Sequence, residues 1–386
     1  MKKKIKVLQV IPSLGYGGAE TGCYDIAHFL SEQGCKSYII TSGGELLKFI
    51  KKEKVKVFRL PVHSKNPILI LFNSIIISLI IFFYNINIIH ARSRAPAWSC
   101  LIATKITRRK FVTTFHGTYN FNNKFKKFYN SIMLRSKLTI AGSNFIFDHI
   151  HTNYSEQLSE NKKLLVIFRG INTEYFNKKK VPDAKVDKFN SILKLDVHTF
   201  KILLPGRLTR WKGQEMFLEA LSLLKTKYYK TNFKAVILGS HQGRKVFFKK
   251  LLSMVEQYRL KDNVIFLSFC EEMPVAYKSA NVIVSSSIEP EAFGRVAVEA
   301  QAMEKPILAS DLGGSKETII NGKSGFFFKN GDPNSLAQNL NYIIEMDKEK
   351  LQSIGNEGRK NILIKFDVEK MCQSTFAEYK KLLKKK

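Results

Sequence analysis

The 386-residue sequence predicts an α/β protein made of two doubly wound, parallel-sheet halves. Short apolar runs alternate with helical patterns throughout, which is the signature of βαβ units. The alternation restarts after a polar, charged and proline-broken stretch at 178–188, which reads as an interdomain linker. Glycine-bearing loops lead from strand to helix in both halves. The length itself suits two domains of about 100–200 residues each.

In chain order, residues 5–11 read as a buried first strand, 15–18 as a loop and 20–32 as a helix. Met1 and the three lysines after it mimic the start of a signal peptide. The apolar run from Val7 to Ile11 stops at Pro12, however, too short for the core of such a signal. Further strands are expected at 37–41, 55–60, 86–90, 111–115 and 138–141. The second half offers strands at 200–204, 234–238, 264–267, 282–285 and 306–309, with helices at 214–224 and 295–303. The last 20 residues read as a helix running into lysines.

Residues 68–83 are almost wholly apolar, and no Asp, Glu, Lys or Arg occurs between Lys65 and Arg92. About 20 such residues can cross a bilayer. Asn73, Ser74, Ser78, Tyr84, Asn85 and Asn87 interrupt the run, and Ser74, Ser78 and Asn85 fall near one helical stripe. A buried or interface-lying helix followed by a strand is the expectation.

Composition is ordinary for a globular chain, with 45% hydrophobic and 25% charged residues. The net charge of +31 is not. Lysine excess has a plain reading as codon bias, but its distribution says more. Residues 54–147 contain 15 Lys and Arg and no Asp or Glu. Such a concentrated field implies an anionic partner: a phospholipid surface, a nucleic acid or a phosphorylated substrate. The five cysteines (Cys23, Cys35, Cys100, Cys270 and Cys372) form no C-x-x-C pair, which excludes a zinc site of that type and fits a reducing cytosol.

Four stretches can carry chemistry. Gly15-Tyr16-Gly17-Gly18-Ala19-Glu20 follows the first strand and opens a helix, where glycines let backbone approach a phosphate. It fails as a dinucleotide fingerprint because Glu20 takes the third glycine position, and a plain tight turn fits equally well. His116 stands at a strand's carboxyl end, where open α/β sheets bind ligands. It can donate to a hydroxyl or handle a proton near pH 7, or simply be a hydrogen-bonded loop residue. Arg207 and Lys212 share one loop beside a helix N-terminus, an arrangement suited to a diphosphate.

The fourth stretch runs from Ser285 through Glu289, Pro290, Glu291, Phe293 and Gly294 into a helix containing Glu299. Amides after Phe293 can meet a phosphate. Glu291 can grip a sugar, and Glu299 can accept hydrogen bonds from a ribose diol. A carboxylate facing the core at 299 is costly without such partners.

Glu291 and Glu299, with Phe293-Gly294 between them, resemble the signature of retaining glycosyltransferases of family 4. The resemblance extends to Gly17-Gly18-Ala19-Glu20, His116-Gly117, Arg169-Gly170-Ile171-Asn172, Gly206-Arg207, Lys212-Gly213, Gly313-Gly314, Glu317, Asn321-Gly322 and Gly325-Phe326. It implies the GT-B fold, two Rossmann-like domains facing each other across a cleft. The expected division is 1–185 for the acceptor side and 186–365 for the nucleotide sugar, with a helix at 366–386 packing back on the first domain.

The resemblance also implies roles. Arg207 and Lys212 would bind the diphosphate, Glu299 the ribose and Glu291 the donor sugar. Backbone near Phe293 and Gly294 would contact sugar and phosphate, Gly17 and Gly18 would close over the β-phosphate, and His116 would sit at the reacting centre. Ala292 replaces a frequent glycine and Asn172 a usual aspartate.

The implied reaction moves a sugar from a nucleoside diphosphate to a glycan acceptor, lipid-linked, in lipopolysaccharide or surface polysaccharide synthesis. No cofactor is expected beyond the donor itself. No Asp-x-Asp occurs, so the expectation is metal-independent transfer. The acid-free stretch beside 68–83 suggests peripheral attachment to an anionic inner-membrane surface from the cytoplasm. A nucleotide-sugar epimerase or hydrolase of the same fold is the enzymatic rival. A membrane-embedded scaffold anchored by residues 68–89 is a second alternative. A nucleic-acid-binding protein explains the charge but leaves Glu291 and Glu299 without purpose, and no RNP or zinc-finger signature supports it.

Overall fold

The computed structural model describes residues 4–159, 162–196 and 198–384. The chain forms two compact units, Met1–Gly170 with Val368–Lys386, and Ile171–Asp367.

In the first unit, strands β1 (Lys6–Val10), β2 (Lys36–Thr41), β3 (Val55–Arg59), β4 (Ile88–Ala91), β5 (Lys110–Phe115), β6 (Leu138–Ala141) and β7 (Lys163–Val166) form one sheet. Its order is β3-β2-β1-β4-β5-β6-β7, and every pair is parallel. Helices α1 (Gly18–Glu32), α2 (Pro67–Tyr84), α3 (Arg94–Thr107), α4 (Lys124–Asn130) and α5 (Asn144–Tyr154) connect these strands. Order reverses between β1 and β4, which places a ligand-binding crevice at their carboxyl ends.

Residues 68–83 do form a helix, which buries Ile77, Ile80 and Ile81 together with two polar residues. Asn73 and Ser74 are buried, with Asn73 Nδ2 donating to the Pro61 carbonyl at 3.2 Å. Ser99 Oγ of α3 donates to the Ile70 carbonyl at 3.0 Å, and α2 packs along α3. Ile68, Leu71, Phe72, Ile75, Leu79, Phe82 and Phe83 face outward, with Phe82 77% exposed. The helix is long and apolar enough to cross a membrane.

In the second unit, β8 (Phe200–Pro205), β9 (Phe233–Leu238), β10 (Val264–Leu267), β11 (Val282–Ser285), β12 (Ile307–Ser310) and β13 (Phe326–Phe328) form a parallel sheet. The order is β10-β9-β8-β11-β12-β13, so the switch point lies between β8 and β11. Its helices are α6 (Asp183–Ile192), α7 (Gln214–Thr226), α8 (Lys245–Gln257), α9 (Met273–Ser279), α10 (Arg295–Ala302), α11 (Ser315–Thr318), α12 (Pro333–Ile344) and α13 (Lys348–Lys365). Ile202, Leu204, Phe217, Phe233 and Ile237 centre a core shared by the sheet and α7.

The stretch 178–188 is not an interdomain linker. The chain divides at Gly170, and α6 packs on α9 inside the second unit. Lys278 Nζ donates to the Val181 carbonyl at 2.6 Å and pairs with Asp183 at 2.8 Å. With Val186 as its one buried residue, α6 has almost no apolar stripe, so its sequence reads as coil.

The last helix, α14 (Val368–Lys384), belongs to the first unit. Met371 and Cys372 join the cluster around Val7, Ile26 and Ile88. Buried Tyr379 places its hydroxyl 2.5 Å from His90 Nδ1. Strands β7 and β13, not expected from the sequence, are edge strands of four and three residues, too short to show a period.

Candidate functional site

Lys212 and Glu291 meet at the carboxyl ends of β8 and β11, and glycines make that meeting possible. Gly213 has φ +71°, and a Cβ there would stand 1.9 Å from the Ser286 carbonyl oxygen. Without one, the loop after β8 settles on the loop after β11. Ser286 Oγ donates to the Lys212 carbonyl at 3.0 Å, and the Ile288 amide donates to the Trp211 carbonyl at 2.8 Å.

This contact brings Lys212 to Glu291. Nζ lies 2.6 Å from Oε1, and the two side chains are only 13% and 11% exposed. Ser287 Oγ donates to the same oxygen at 2.5 Å. Burial pushes the Glu291 carboxyl up, but the Lys212 ammonium and the hydroxyls of Ser287 and Ser285 outweigh it. The net result lies below the ordinary glutamate value. The Glu291 loop is held from beneath by Gly313 and Gly314. The Gly314 amide donates to the Glu291 carbonyl at 2.8 Å, and a Cβ on Gly314 would lie 2.6 Å from the Ala292 carbonyl oxygen.

Glu299 is buried on α10, and its partners correct the sequence argument. Tyr277 donates its hydroxyl to Oε2 at 2.7 Å, and Arg295 Nε donates to Oε1 at 2.6 Å. A ribose is therefore not needed to explain a carboxylate here. Burial, and next the Glu299 carboxylate, hold the Tyr277 phenol well above its ordinary pKa, so it stays a donor. Phe293 is buried with its ring 5.6 Å from that of Phe366. Gly294, at φ +78°, starts α10. Arg207 is exposed on the loop after β8.

In the first unit, Gly17 caps α1 and Gly18 begins it. Glu20 folds back so closely that a Cβ on Gly17 would lie 2.3 Å from its Oε2. His116 follows β5, Arg92 follows β4 and Arg169 follows β7, so all three stand at strand carboxyl ends. Arg92 is buried, and its Nε donates to Gln9 Oε1 at 2.7 Å. Arg169 Nη2 lies 2.5 Å from His116 Nδ1, while His116 Nε2 is covered and has no hydrogen-bond partner among the described residues. Burial first, then Arg169, Arg92 and His90, hold the imidazole well below its ordinary pKa.

Sequence reasoning missed Ser287, Tyr277, Gln9 and Arg92. The serine run at 285–287 before Glu291 was the one available signal. Gln9 hides in an apolar strand, Arg92 is one basic residue among many, and nothing near Tyr277 marks it.

Because the folded-state pKa of Glu291 is depressed, its stabilisation is complete above the ordinary value of 4.5 and is lost as pH falls through the folded value. Glu291→Gln should therefore destabilise the second unit near neutral pH, by up to about 3–5 kcal/mol for an unpaired buried partner. The difference from wild type should shrink as pH falls below 4.5 and the folded-state carboxyl takes up its proton. Urea unfolding across that range checks this, and a gap that widens on acidification contradicts it.

Known proteins resemble both units. The family model described as Glycosyltransferase Family 4 matches residues 16–175, and that described as Glycosyl transferases group 1 matches 185–361. The capsular polysaccharide biosynthesis glycosyltransferase CapM of Staphylococcus aureus is 26% identical over 231 residues, 60% of this chain and 58% of CapM. The uncharacterized glycosyltransferase MJ1607 of Methanocaldococcus jannaschii is 30% identical over 56% of this chain and 54% of its own. The chain thus spans between half and three-fifths of these two curated relatives. The crystal structure of a glycosyltransferase from Rickettsia africae matches with TM-score 0.90 and 37% identity over 100% of both chains. Anabaena HepE, crystallised with UDP and glucose, matches in fold with TM-score 0.82 and 23% identity over 98% of this chain and 100% of its own. The chain belongs to glycosyltransferase family 4 and has the GT-B fold.

Proposed function

We propose that the chain transfers a sugar from a nucleoside diphosphate to an acceptor hydroxyl, retaining anomeric configuration and using no metal ion, in lipopolysaccharide or surface polysaccharide synthesis. The observation that carries this reading is the largely covered Lys212–Glu291 pair. It sets a cation for a diphosphate against a carboxylate for sugar hydroxyls, at the sheet's switch point and beside the N-terminus of α10. Lys212, Arg207 and the α10 amides near Phe293 and Gly294 neutralise charge developing on the leaving phosphate. Glu291 accepts from the sugar, and Glu299 exchanges a present partner for the ribose. Gly17 and Gly18 approach the β-phosphate. His116 acts on a substrate oxygen at the reacting centre, and the departing phosphate takes the acceptor proton. The UDP and glucose in the HepE crystals and the capsular role in the name of CapM support the reading.

A panel of UDP-, GDP- and ADP-sugars incubated with bacterial lipid-linked glycans tests it. Transfer should require an acceptor, persist in EDTA and give a product with the donor's anomeric configuration. His116→Ala should lower transfer at least about a hundredfold while sparing nucleotide binding. Turnover without an acceptor points to a hydrolase or epimerase, and activity lost in EDTA and restored by manganese removes the metal-free mechanism.

The acceptor is lipid-linked in this proposal, and the protein lies on an anionic membrane surface. Asn73 and Ser74 are engaged by the protein, so α2 stays docked and offers only its apolar face. Basic groups flank that face: Lys65 precedes the helix, and Arg109 Nη2 donates to Asn85 Oδ1 at its end. An in-plane helix with cationic flanks suits anionic headgroups. Replacing Phe82 and Phe83 together by Glu should weaken binding to anionic vesicles at least tenfold, since each buried aromatic contributes about 1.5–3 kcal/mol. Equally strong wild-type binding to neutral vesicles overturns the electrostatic part.

A further inference from the structure

One arrangement in the first unit goes beyond family membership and concerns the protonation of a single ring. The Arg169 amide donates to the Gly142 carbonyl at 3.3 Å, and its side chain runs across Gly142, where a Cβ would lie 3.4 Å from Nε. The guanidinium ends 2.5 Å from His116 Nδ1. A guanidinium only donates hydrogen bonds and is not deprotonated in proteins. The nitrogen facing it must therefore be an acceptor. An imidazolium, with hydrogens on both nitrogens, cannot make this contact, and neither can the tautomer protonated at Nδ1.

We infer that Arg169 is the positioning residue for His116: by donating to Nδ1 it fixes the ring as the neutral Nε2–H tautomer, a hydrogen-bond donor and not a proton acceptor at Nε2. That nitrogen is the atom left over. It is covered and has no partner among the described residues, so a substrate oxygen is the partner it lacks. The titratable groups acting on the ring reinforce this state. They are Arg169 after β7 and Arg92 and His90 from β4, with the Tyr119 hydroxyl 3.4 Å from the His116 backbone amide. Two guanidiniums nearby disfavour a third cation. The consequence for chemistry is specific: His116 donates to a sugar or acceptor oxygen, and deprotonation of the acceptor falls to another group. This inference rests on the proposed placement of His116 at the reacting centre, but the tautomer itself can be read without any activity.

Long-range 1H–15N correlation spectra of histidine-labelled full-length protein read it directly, with the signal assigned by its loss in His116→Gln. In the wild type the ring should be neutral and protonated at Nε2 throughout about pH 5–8. Arg169→Met should mix the tautomers and bring the ring into titration, and Arg169→Lys, which keeps a donor, should restore the Nε2–H form. Once a donor sugar is identified, Arg169→Met should lower kcat at least about tenfold with little change in nucleotide affinity. A wild-type ring protonated at Nδ1 or charged at pH 7 overturns the inference, and so does an Arg169→Met spectrum identical to wild type. The wild-type spectrum decides the matter even if the Met variant does not fold. A correct tautomer in a protein whose His116→Ala variant transfers sugar normally leaves the inference standing and removes His116 from the reacting centre.

Discussion

Two opposite charges held 2.6 Å apart in the interior of the second unit govern how the loops after β8 and β11 are built. Removing an ammonium and a carboxylate from water costs several kcal/mol each, and mutual attraction offsets that only when the geometry is good and the remaining hydrogen-bonding capacity is used. Each local feature serves that requirement. Gly213 admits the Ser286 carbonyl, Ser287 takes a lone pair of Glu291, and Gly313 and Gly314 support the turn that carries the carboxylate. In the proposed reaction the pair is also a placeholder: a nucleotide sugar would bring phosphates for Lys212 and hydroxyls for Glu291, exchanging one set of partners for another. The same holds for Glu299, which Tyr277 and Arg295 already satisfy.

The first unit is organised by cations where the second is organised by an ion pair. Arg92 is buried against Gln9, Arg169 faces His116, and the surrounding sequence from 54 to 147 lacks carboxylates. Burial first, and then these guanidiniums, hold the His116 imidazole well below its ordinary pKa. The basic field also extends to the ends of α2, which buries Asn73 and Ser74 beside Ile77, Ile80 and Ile81 and leaves much of its apolar surface exposed. The helix is fixed to α3 through Ser99 and the Ile70 carbonyl.

Much of this was legible in the residues. The strand-to-helix loops with Gly17, Lys212 and Glu291 stood out because they lie in order at strand ends, although the Gly17 loop alone reads equally as a tight turn. The parallel order followed from the alternation of short strands and helices. What could not be read were relations between loops distant in sequence. Lys212 and Glu291 were assigned separate ligands, and nothing in their spacing said that they hold each other. Glu299 was argued to need a ligand because Tyr277, 22 positions earlier, carries no mark of its role. The stretch 178–188 reads as a linker because the helix Asp183–Ile192 that it enters has one buried residue and no periodicity to detect.

In the proposed reaction a sugar donor separates Lys212 from Glu291. Calorimetric titration of wild type and Glu291→Gln, each with a bare nucleoside diphosphate and with the matching nucleotide sugar, reads this separation. The variant should bind the bare diphosphate as well as wild type or better, because Lys212 no longer has a competing carboxylate. It should bind the nucleotide sugar at least tenfold more weakly, the loss of hydrogen bonds to a charged group being about 1.5–3 kcal/mol. Parallel loss of affinity for both ligands would show that the donor does not part the two residues.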